Sequence, residues 1–208
     1  MTTLVSSTTT GSWPARAIFM PARAEPDPAV SPGLAQQEGG PAFELKFQLT
    51  MEEAALVEAW ARARLQTDPH GVNGCYRTTT VYCDTAQLDV FHRSTGFRRS
   101  KYRLRRYGEA GTVHLERKTR KGDHVRKRRC EVPGNEVGLL AQDSSSDDWA
   151  GRWFHQRIRT LELRPICRVA YERTAFFGQS GGLPVRLTID RNLAGTANLD
   201  WNISPLAD

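Results

Sequence analysis

The sequence lacks the features of a membrane-spanning or secreted protein. None of its apolar runs approaches the roughly 20 residues that a helix needs to cross a bilayer. The N-terminus has neither the charged start nor the apolar stretch of a secretory signal. No two cysteines have CxxC spacing, so neither a zinc site nor a redox pair is indicated; they are Cys75, Cys83, Cys130 and Cys167. Scattered cysteines fit a reducing compartment, and we expect a cytoplasmic protein without a membrane span.

Acidic residues are also fewer than basic residues. Asp and Glu number 23 against 29 Lys and Arg, which gives a formal net charge of +6 and a pI of about 9.4. A basic balance favours an anionic partner: a nucleic acid, an acidic membrane surface or a phosphorylated small molecule. Residues 1–40 lack periodicity and are rich in Ser, Thr, Pro, Ala and Gly. They predict a disordered leader, followed by one domain at 41–208.

Periodicity in this domain predicts an α+β fold. FELKFQL at 43–49 alternates apolar and polar residues, as a strand does. The helix predicted at 50–65 starts with Thr50 as its cap, and its apolar face is expected to contain Leu56, Ala59, Trp60 and Ala63. A second helix is expected within 143–163. Further strands are predicted at 76–85, 97–108, 112–120, 124–132, 166–177 and 183–190, which favours a mainly antiparallel barrel or sandwich with a few flanking helices.

One face of these strands is strongly cationic. KYRLRRYG places Lys101, Arg103 and Arg105 at every second position, so their side chains share a face. The corresponding positions of other strands are Glu44 and Lys46; His114, Glu116 and Lys118; Tyr171 and Arg173; and Arg186, Thr188 and Asp190. In HVRKRRCEV both faces are basic, and alternation leaves open whether Lys127 and Arg129 or Arg126 and Arg128 join the set.

A cluster of like charges is unstable unless anions neutralise it. Three interspersed carboxylates, those of Glu44, Glu116 and Asp190, leave most of the positive charge unmatched. A triphosphate or polyphosphate would supply the missing negative charge, since Arg clamps phosphate in bidentate fashion and Lys acts as a point charge. Glu44 and Glu116 are explained about equally well as salt-bridge partners and as oxygen ligands of a divalent cation. From the alternation alone, a solvated strand face explains the cations as well as an anion site does.

Seven short motifs follow one another in the order and spacing of a known family. They are ELKF at 44–47, VYCDT at 81–85, YRLRRYG at 102–108, LERKT at 115–119, VRKRR at 125–129, YERTAF at 171–176 and VRLTID at 185–190. The series resembles the VTC domain, the polyphosphate polymerase domain of the vacuolar transporter chaperone family, in the CYTH-like (triphosphate tunnel metalloenzyme) superfamily. The resemblance covers roughly residues 42–195 and decides in favour of the anion site.

The resemblance implies an antiparallel β-barrel around a basic tunnel, in which the γ-phosphate of ATP is transferred to polyphosphate with Mn²⁺ or Mg²⁺. It gives catalytic roles to Arg103, Arg105, Lys118 and Lys127. It implies substrate binding by Lys46, Arg173 and Arg186. From their place on the cationic face we also expect Lys101 and Arg129 to bind substrate, and Glu44 and Glu116 to bind the metal. The resemblance also implies that Lys127 and Arg129 face inward. Members continue to a last strand with an E-x-K pattern, which this chain lacks, so we expect a domain truncated at its C-terminus.

Two other functions are compatible with the same residues. A metal-dependent inorganic or nucleoside triphosphatase would use the same tunnel with water as the acceptor. A non-catalytic module that binds polyphosphate or an inositol phosphate would need the basic surface alone. Nucleic acid is not the expected partner, because no aromatic residues interleave with the cations as they do in a single-strand binding platform.

The cationic row leads to a first prediction. Replacing Arg103 by Ala should weaken triphosphate binding about ten- to a hundredfold, because one charge-assisted contact is lost. If the cations only repel one another, the ligand-free protein should be as stable as the wild type or more stable. Thermal melts of both proteins with and without triphosphate measure the two effects.

Overall fold

The computed structural model describes residues 2–6, 37–42, 44–97, 99–121, 124–180 and 183–204. The strands are β1 (Thr2–Ser6), β2 (Gln37–Ala42), β3 (Leu45–Leu49), β4 (Gln66–Thr67), β5 (Cys75–Asp84), β6 (Ser100–Tyr107), β7 (Thr112–Lys121), β8 (His124–Pro133), β9 (Arg164–Ser180) and β10 (Leu183–Ala197). The α-helices are α1 (Met51–Arg64), α2 (Asp89–His92) and α3 (Arg152–Thr160), and a 3-10 helix spans Gly134–Ala141. The predicted α+β class with mainly antiparallel strands is confirmed.

The chain divides into two compact units. The first contains Pro41–Tyr76 and Tyr171–Leu193, and the second contains Arg77–Ala170 and Ala194–Asp208. In the second unit, β8, β7, β6 and β5 lie side by side in antiparallel order. Leu104 of β6 is opposite Val81 of β5 on one side and Leu115 of β7 on the other, so the apolar residues of these strands share one face.

The core of the second unit lies between this apolar face and the helices. Phe154 and Ile158 of α3, and Val137 and Leu140 of the 3-10 helix, are buried against the strands. Their buried strand partners are Val81, Cys83, Tyr102, Leu104, Val113, Leu115, Cys130 and Val132. The apolar residues of β5 to β8 therefore pack on helices, and the cationic residues occupy the opposite face.

In the first unit, α1 packs on β3, β9 and β10. The predicted cap is present, since the Thr50 hydroxyl accepts from the Glu53 backbone and the Glu53 carboxylate accepts from the Thr50 backbone. The predicted apolar face of this helix is wrong. Leu56 is 72% exposed and Trp60 41% exposed, while the residues that pack on the strands are Ala54, Val57, Ala61 and Leu65. Small residues face the sheet because they let the helix approach it closely.

Several elements were not expected from the sequence. The 3-10 helix, α2 and β4 were not predicted, and β10 continues to Ala197 through residues that carry no clear strand pattern. Within the predicted leader, the backbone of β1 runs parallel to β3 and β10, and β2 pairs within the sheet. The rest of residues 1–40 lies outside the described residues, so a disordered leader stays a prediction. None of the described helices is long and apolar enough to cross a membrane.

Candidate functional site

The cationic residues of β6, β7 and β8 form a polar face whose register the structure defines. Three lysines lie opposite one another in one row: Lys101, Lys118 and Lys127. The next row is Tyr82, Arg103, Glu116 and Arg129, and the third is Thr80, Arg105, His114 and Glu131. Lys127 and Arg129 therefore share the face of Arg103, as the family resemblance implies, and Arg126 and Arg128 are on the other face. Six cations meet two carboxylates on this polar face.

The centre of the polar face is a buried ion pair. Nε of Arg103 donates to Oε2 of Glu116 over 2.7 Å, and its terminal Nη2 lies 2.6 Å from the same oxygen. The Glu116 side chain is fully buried and that of Arg103 is 13% exposed. Burial by itself raises the pKa of Glu116, but the positive charges of Arg103, Arg105 and Lys127 together lower it well below its ordinary value. Glu116 is therefore a carboxylate at neutral pH.

Positive charge dominates the remainder of this face. Arg105 is 7% exposed, and its Nε donates to the Thr80 hydroxyl over 3.2 Å. Burial raises the pKa of Tyr82, yet Arg103, Arg105 and Lys101 lower it below the ordinary value. Burial lowers the pKa of Lys127, and the neighbouring Arg129 lowers it further against the opposing effect of Glu116. The shift of the Tyr82 phenol against the effect of its burial therefore reports an excess of cations around it, whereas the shift of Lys127 is due mainly to burial.

His114 is the uncharged member of the polar face. Its Nδ1 lies 3.3 Å from a carboxylate oxygen of Glu131, and its ring meets that of Tyr107 edge to face with centroids 5.1 Å apart. Burial and the charges of Arg129 and Lys127 lower the pKa of His114 to about 4. The imidazole is therefore neutral at neutral pH, and it offers a ligand hydrogen bonding without charge.

The predicted residues of the first unit form a separate set in which buried carboxylates hold arginines. Arg173 donates in bidentate fashion to Asp190, with Nε to Oδ1 at 2.6 Å and Nη2 to Oδ2 at 2.8 Å. Nη2 of Arg186 donates to Asp68 over 3.1 Å and lies 2.9 Å from the Tyr76 hydroxyl. Asp190 and Asp68 are 5% and 3% exposed. The arginines are thus fixed in orientation by carboxylates that pack around them.

Lys46 and Glu44 lie at the exposed end of the first unit's set. Nζ of Lys46 is 3.6 Å from Oε1 of Glu44, and the Lys46 side chain is 61% exposed. This separation is too long for a well-formed hydrogen bond, so the lysine is free to reorient towards a ligand.

Sequence reasoning missed several residues around the predicted ones. Thr80, Tyr82 and Glu131 follow the strand alternation, which would have assigned them to the polar face. Asp68 and Tyr76 gave no such signal, since Asp68 is 118 positions from the Arg186 that it holds. Only the tertiary fold brings these two together.

Metal binding by Glu44 and Glu116 stays a prediction. Among the residues that the structure describes, no group of three or more His, Cys, Asp or Glu side chains is arranged to hold a cation. Glu116 is engaged by Arg103 through Oε2, and its Oε1 is buried and has no hydrogen-bond partner among these residues.

The buried pair gives a second prediction. Replacing Glu116 by Gln should lower the free energy of unfolding by about 3 kcal/mol, because Arg103 is left buried without an opposing charge. The matched control is Glu131→Gln on the same face, whose side chain is 57% exposed and whose effect should stay within about 0.5 kcal/mol. Denaturant unfolding of the wild type and the two variants measures both changes. Equal losses in the free energy of unfolding for Glu116→Gln and Glu131→Gln would contradict the prediction.

The same pair revises the expected stability of the Arg103→Ala variant. Loss of Arg103 leaves the fully buried Glu116 without its principal hydrogen-bond donor. We therefore expect the ligand-free variant to melt below the wild type instead of at or above it. The expected loss of triphosphate affinity is unchanged.

His114 generates a third prediction, on acid stability. Its folded-state pKa lies below the ordinary value of 6.5, so the unfolded chain takes up the proton first as the pH falls. The free energy of unfolding should therefore fall between about pH 6.5 and 4, by up to about 3 kcal/mol from this group. His114→Gln should remove this part of the pH dependence and retain the loss due to Glu116 at lower pH. Denaturant unfolding of the wild type and His114→Gln at several pH values tests this. If the free energy of unfolding falls with pH in the same way in both proteins, the prediction is wrong.

Comparisons with known proteins relate this chain to one family and to several solved structures. A family model described as VTC domain matches residues 42–206. No curated protein matches the chain. The structure is similar to a provisionally assigned adenylate cyclase of Bacillus halodurans, with 10% identity, 80% of each chain covered and a TM-score of 0.40. It is also similar to a provisionally assigned adenylyl cyclase of Hippeastrum that is described as having a dominant triphosphatase activity, with 12% identity, 69% of each chain covered and a TM-score of 0.39.

A third similar structure is a protein of Pyrococcus horikoshii, with 13% identity, 69% of this chain and 72% of that chain covered and a TM-score of 0.36. The family match spans more than half of the chain and includes every strand of the polar face. This chain belongs to the VTC domain family.

Proposed function

We propose that this protein is a phosphotransferase that moves the γ-phosphate of ATP onto a polyphosphate chain bound at its polar face. The observation that supports the proposal is the excess of cations there. Among the described residues of β6, β7 and β8, two carboxylates, Glu116 and Glu131, share the face with six cations: Lys101, Arg103, Arg105, Lys118, Lys127 and Arg129. Bound phosphate groups supply the negative charge that this arrangement lacks.

The arginines orient the substrate. Arg103 is held by Glu116 through Nε and one terminal nitrogen, and Arg105 is held by Thr80 through Nε. Fixed guanidinium groups bind phosphate oxygens with little loss of side-chain entropy on binding. The phosphate-binding roles expected of Lys46, Arg173 and Arg186 in the first unit stay predictions of their own.

The lysine row neutralises the charge that moves during transfer. Phosphoryl transfer needs little covalent help from a protein, so positioning and electrostatic stabilisation provide most of the rate enhancement. The lowered pKa of Lys127 rises again when phosphate binds beside it, so that binding strengthens its positive charge. We therefore assign Lys118 and Lys127 to the transferred phosphate and Lys101 to the adjoining chain.

Mn²⁺ or Mg²⁺ is the proposed cofactor, and a cation bound there would polarise the phosphate oxygens and offset their charge. We infer that the cation is bound together with ATP. Oε1 of Glu116 has no hydrogen-bond partner among the described residues, but it is buried, so the cation contacts it only if the side chain moves. The role of Glu116 is then mainly to hold Arg103, with metal contact as a second role.

A product assay gives the fourth prediction. With ATP, a short polyphosphate primer and Mn²⁺, the protein should produce ADP and chains longer than the primer, resolved by gel electrophoresis. Lys127→Met should lower the rate at least about tenfold, since a half-buried charge next to the transferred group is lost. The matched control is Arg99→Met, which removes an exposed cation and should leave the rate within about twofold.

Each other product pattern contradicts the polymerase proposal in a specific way. Free phosphate without longer chains would identify a triphosphatase, which uses water as the acceptor. Binding of polyphosphate without turnover in the presence of Mn²⁺ or Mg²⁺ would identify a non-catalytic module.

A further inference from the structure

Helix α1 carries apolar side chains on two sides, and one of these sides faces solvent. Ala54 and Ala61 pack on the strands of the first unit, whereas Leu56 is 72% exposed and Trp60 41% exposed. The two exposed residues are four positions apart, so they adjoin each other on the outer side of the helix. Large apolar residues that adjoin one another at a surface mark an interaction site, unlike apolar residues scattered singly.

Leu56 and Trp60 belong to a ridge that has a charge at each end. Residues at every fourth position of a helix form a row along its surface, and this row consists of Glu52, Leu56, Trp60 and Arg64, all exposed. Glu52 is in the first turn of α1 and Arg64 in the last. The guanidinium carbon of Arg64 lies 5.5 Å from the centroid of the Trp60 ring, so these two side chains are in contact. The ridge is therefore acidic at one end, apolar in the middle and basic at the other end.

A row of alanines forms a shallow groove beside this ridge. Ala55, Ala59 and Ala63 are exposed and also stand at every fourth position of α1. Because their methyl groups project little, the ridge of a second helix can approach closely there. The outer face of α1 thus contains both surfaces that a pair of packed helices needs, a ridge and an adjoining groove.

The order of the charges fits the pairing of α1 with a second, antiparallel α1. In a twofold pair, residue i of one copy meets residue j of the other, and j meets i in turn. One register, with its midpoint at Glu58, sets Leu56 against the partner's Trp60 and Glu52 against the partner's Arg64. A parallel pair would set acid against acid and base against base, which is unfavourable. The face is therefore complementary to itself in one orientation.

We propose that two copies of this chain associate through the outer face of α1, with the two helices antiparallel. The proposal rests on the first unit alone and is independent of the reaction at the polar face. Helix α1 has 14 residues and is about 20 Å long, so its face is smaller than the interface of a typical permanent dimer. We expect a reversible equilibrium between monomer and dimer with a Kd of roughly 10–100 μM.

Sedimentation equilibrium of the full chain at several concentrations tests the interface. Leu56→Glu should raise the Kd of the dimer at least about tenfold, because the pair then buries a charge from each copy. The matched control is Leu199→Glu, the same substitution at a 79% exposed position of the second unit, which should leave the Kd within about twofold. A dimer that Leu56→Glu leaves intact, or a wild type that stays monomeric well above the expected Kd, would overturn the proposal.

Charge reversal tests the antiparallel arrangement and the identity of the occupant. Glu52→Arg sets two arginines together at each end of the pair, and Arg64→Glu sets two glutamates together, so each variant should have a Kd raised about tenfold. An equimolar mixture of the two variants restores an acid–base contact at both ends and should dimerise about as tightly as the wild type. Variants that are weakened singly and do not rescue each other would overturn the antiparallel pairing.

Thermal melts below the Kd distinguish a second copy from a segment of the same chain as the occupant. If residues 7–36 of the same chain covered this face, Leu56→Glu would lower the melting temperature of the monomer. That result would overturn self-association. A monomer that melts at the same temperature with and without the substitution supports a face that is covered only in the dimer.

Discussion

The polar face depends on a carboxylate that is completely removed from water. Glu116 is 0% exposed and remains ionised because Arg103, Arg105 and Lys127 surround it. An ionised carboxylate in such a position is stable only when charges and hydrogen bonds replace its hydration. The arginines in turn are packed at high density because this carboxylate offsets part of their repulsion. Glu116 therefore allows several cations to be half-buried together, although its single negative charge does not neutralise all of them.

The separation of the two faces follows from strand geometry and from the helices that cover one of them. Leu104 and Leu115 are buried against the helices, so their strand neighbours Arg103 and Glu116 must point the other way. A shift of one residue in the pairing of β6 with β7 would bury arginines in the apolar core. The hydrophobic core thus enforces the register of the cationic residues, and the arrangement of the polar face is coupled to the stability of the fold.

The strand face of a residue could be predicted from the sequence where neighbouring residues alternate clearly or form a short motif. Alternation in KYRLRRYG and TVHLERK placed Arg103, Arg105 and Glu116 on one face, and the motif series assigned Lys127 where alternation had two solutions. The face of α1 was predicted wrongly because Leu56 and Trp60 are the larger apolar residues, while close packing selected Ala54 and Ala61. Helical spacing shows which residues lie on the same side of a helix, but the shape of the sheet on which the helix packs decides which side is buried.

Interactions between distant segments were beyond such reasoning. The Asp68–Arg186 and Arg173–Asp190 pairs of the first unit repeat the pattern seen at Glu116, in that a buried carboxylate orients an arginine. From the sequence alone, Glu116 was explained equally well as a metal ligand and as a salt-bridge partner. The geometry of the three pairs now favours one common role, because each carboxylate gives an oxygen to a guanidinium within 3.1 Å. A lysine in place of any of these arginines would keep the charge but lose the fork that a carboxylate and a phosphate can share. Arginine at these three positions is therefore explained by the acid that holds it within the fold, since a planar guanidinium can donate to a carboxylate through two nitrogens, as Arg103 and Arg173 do.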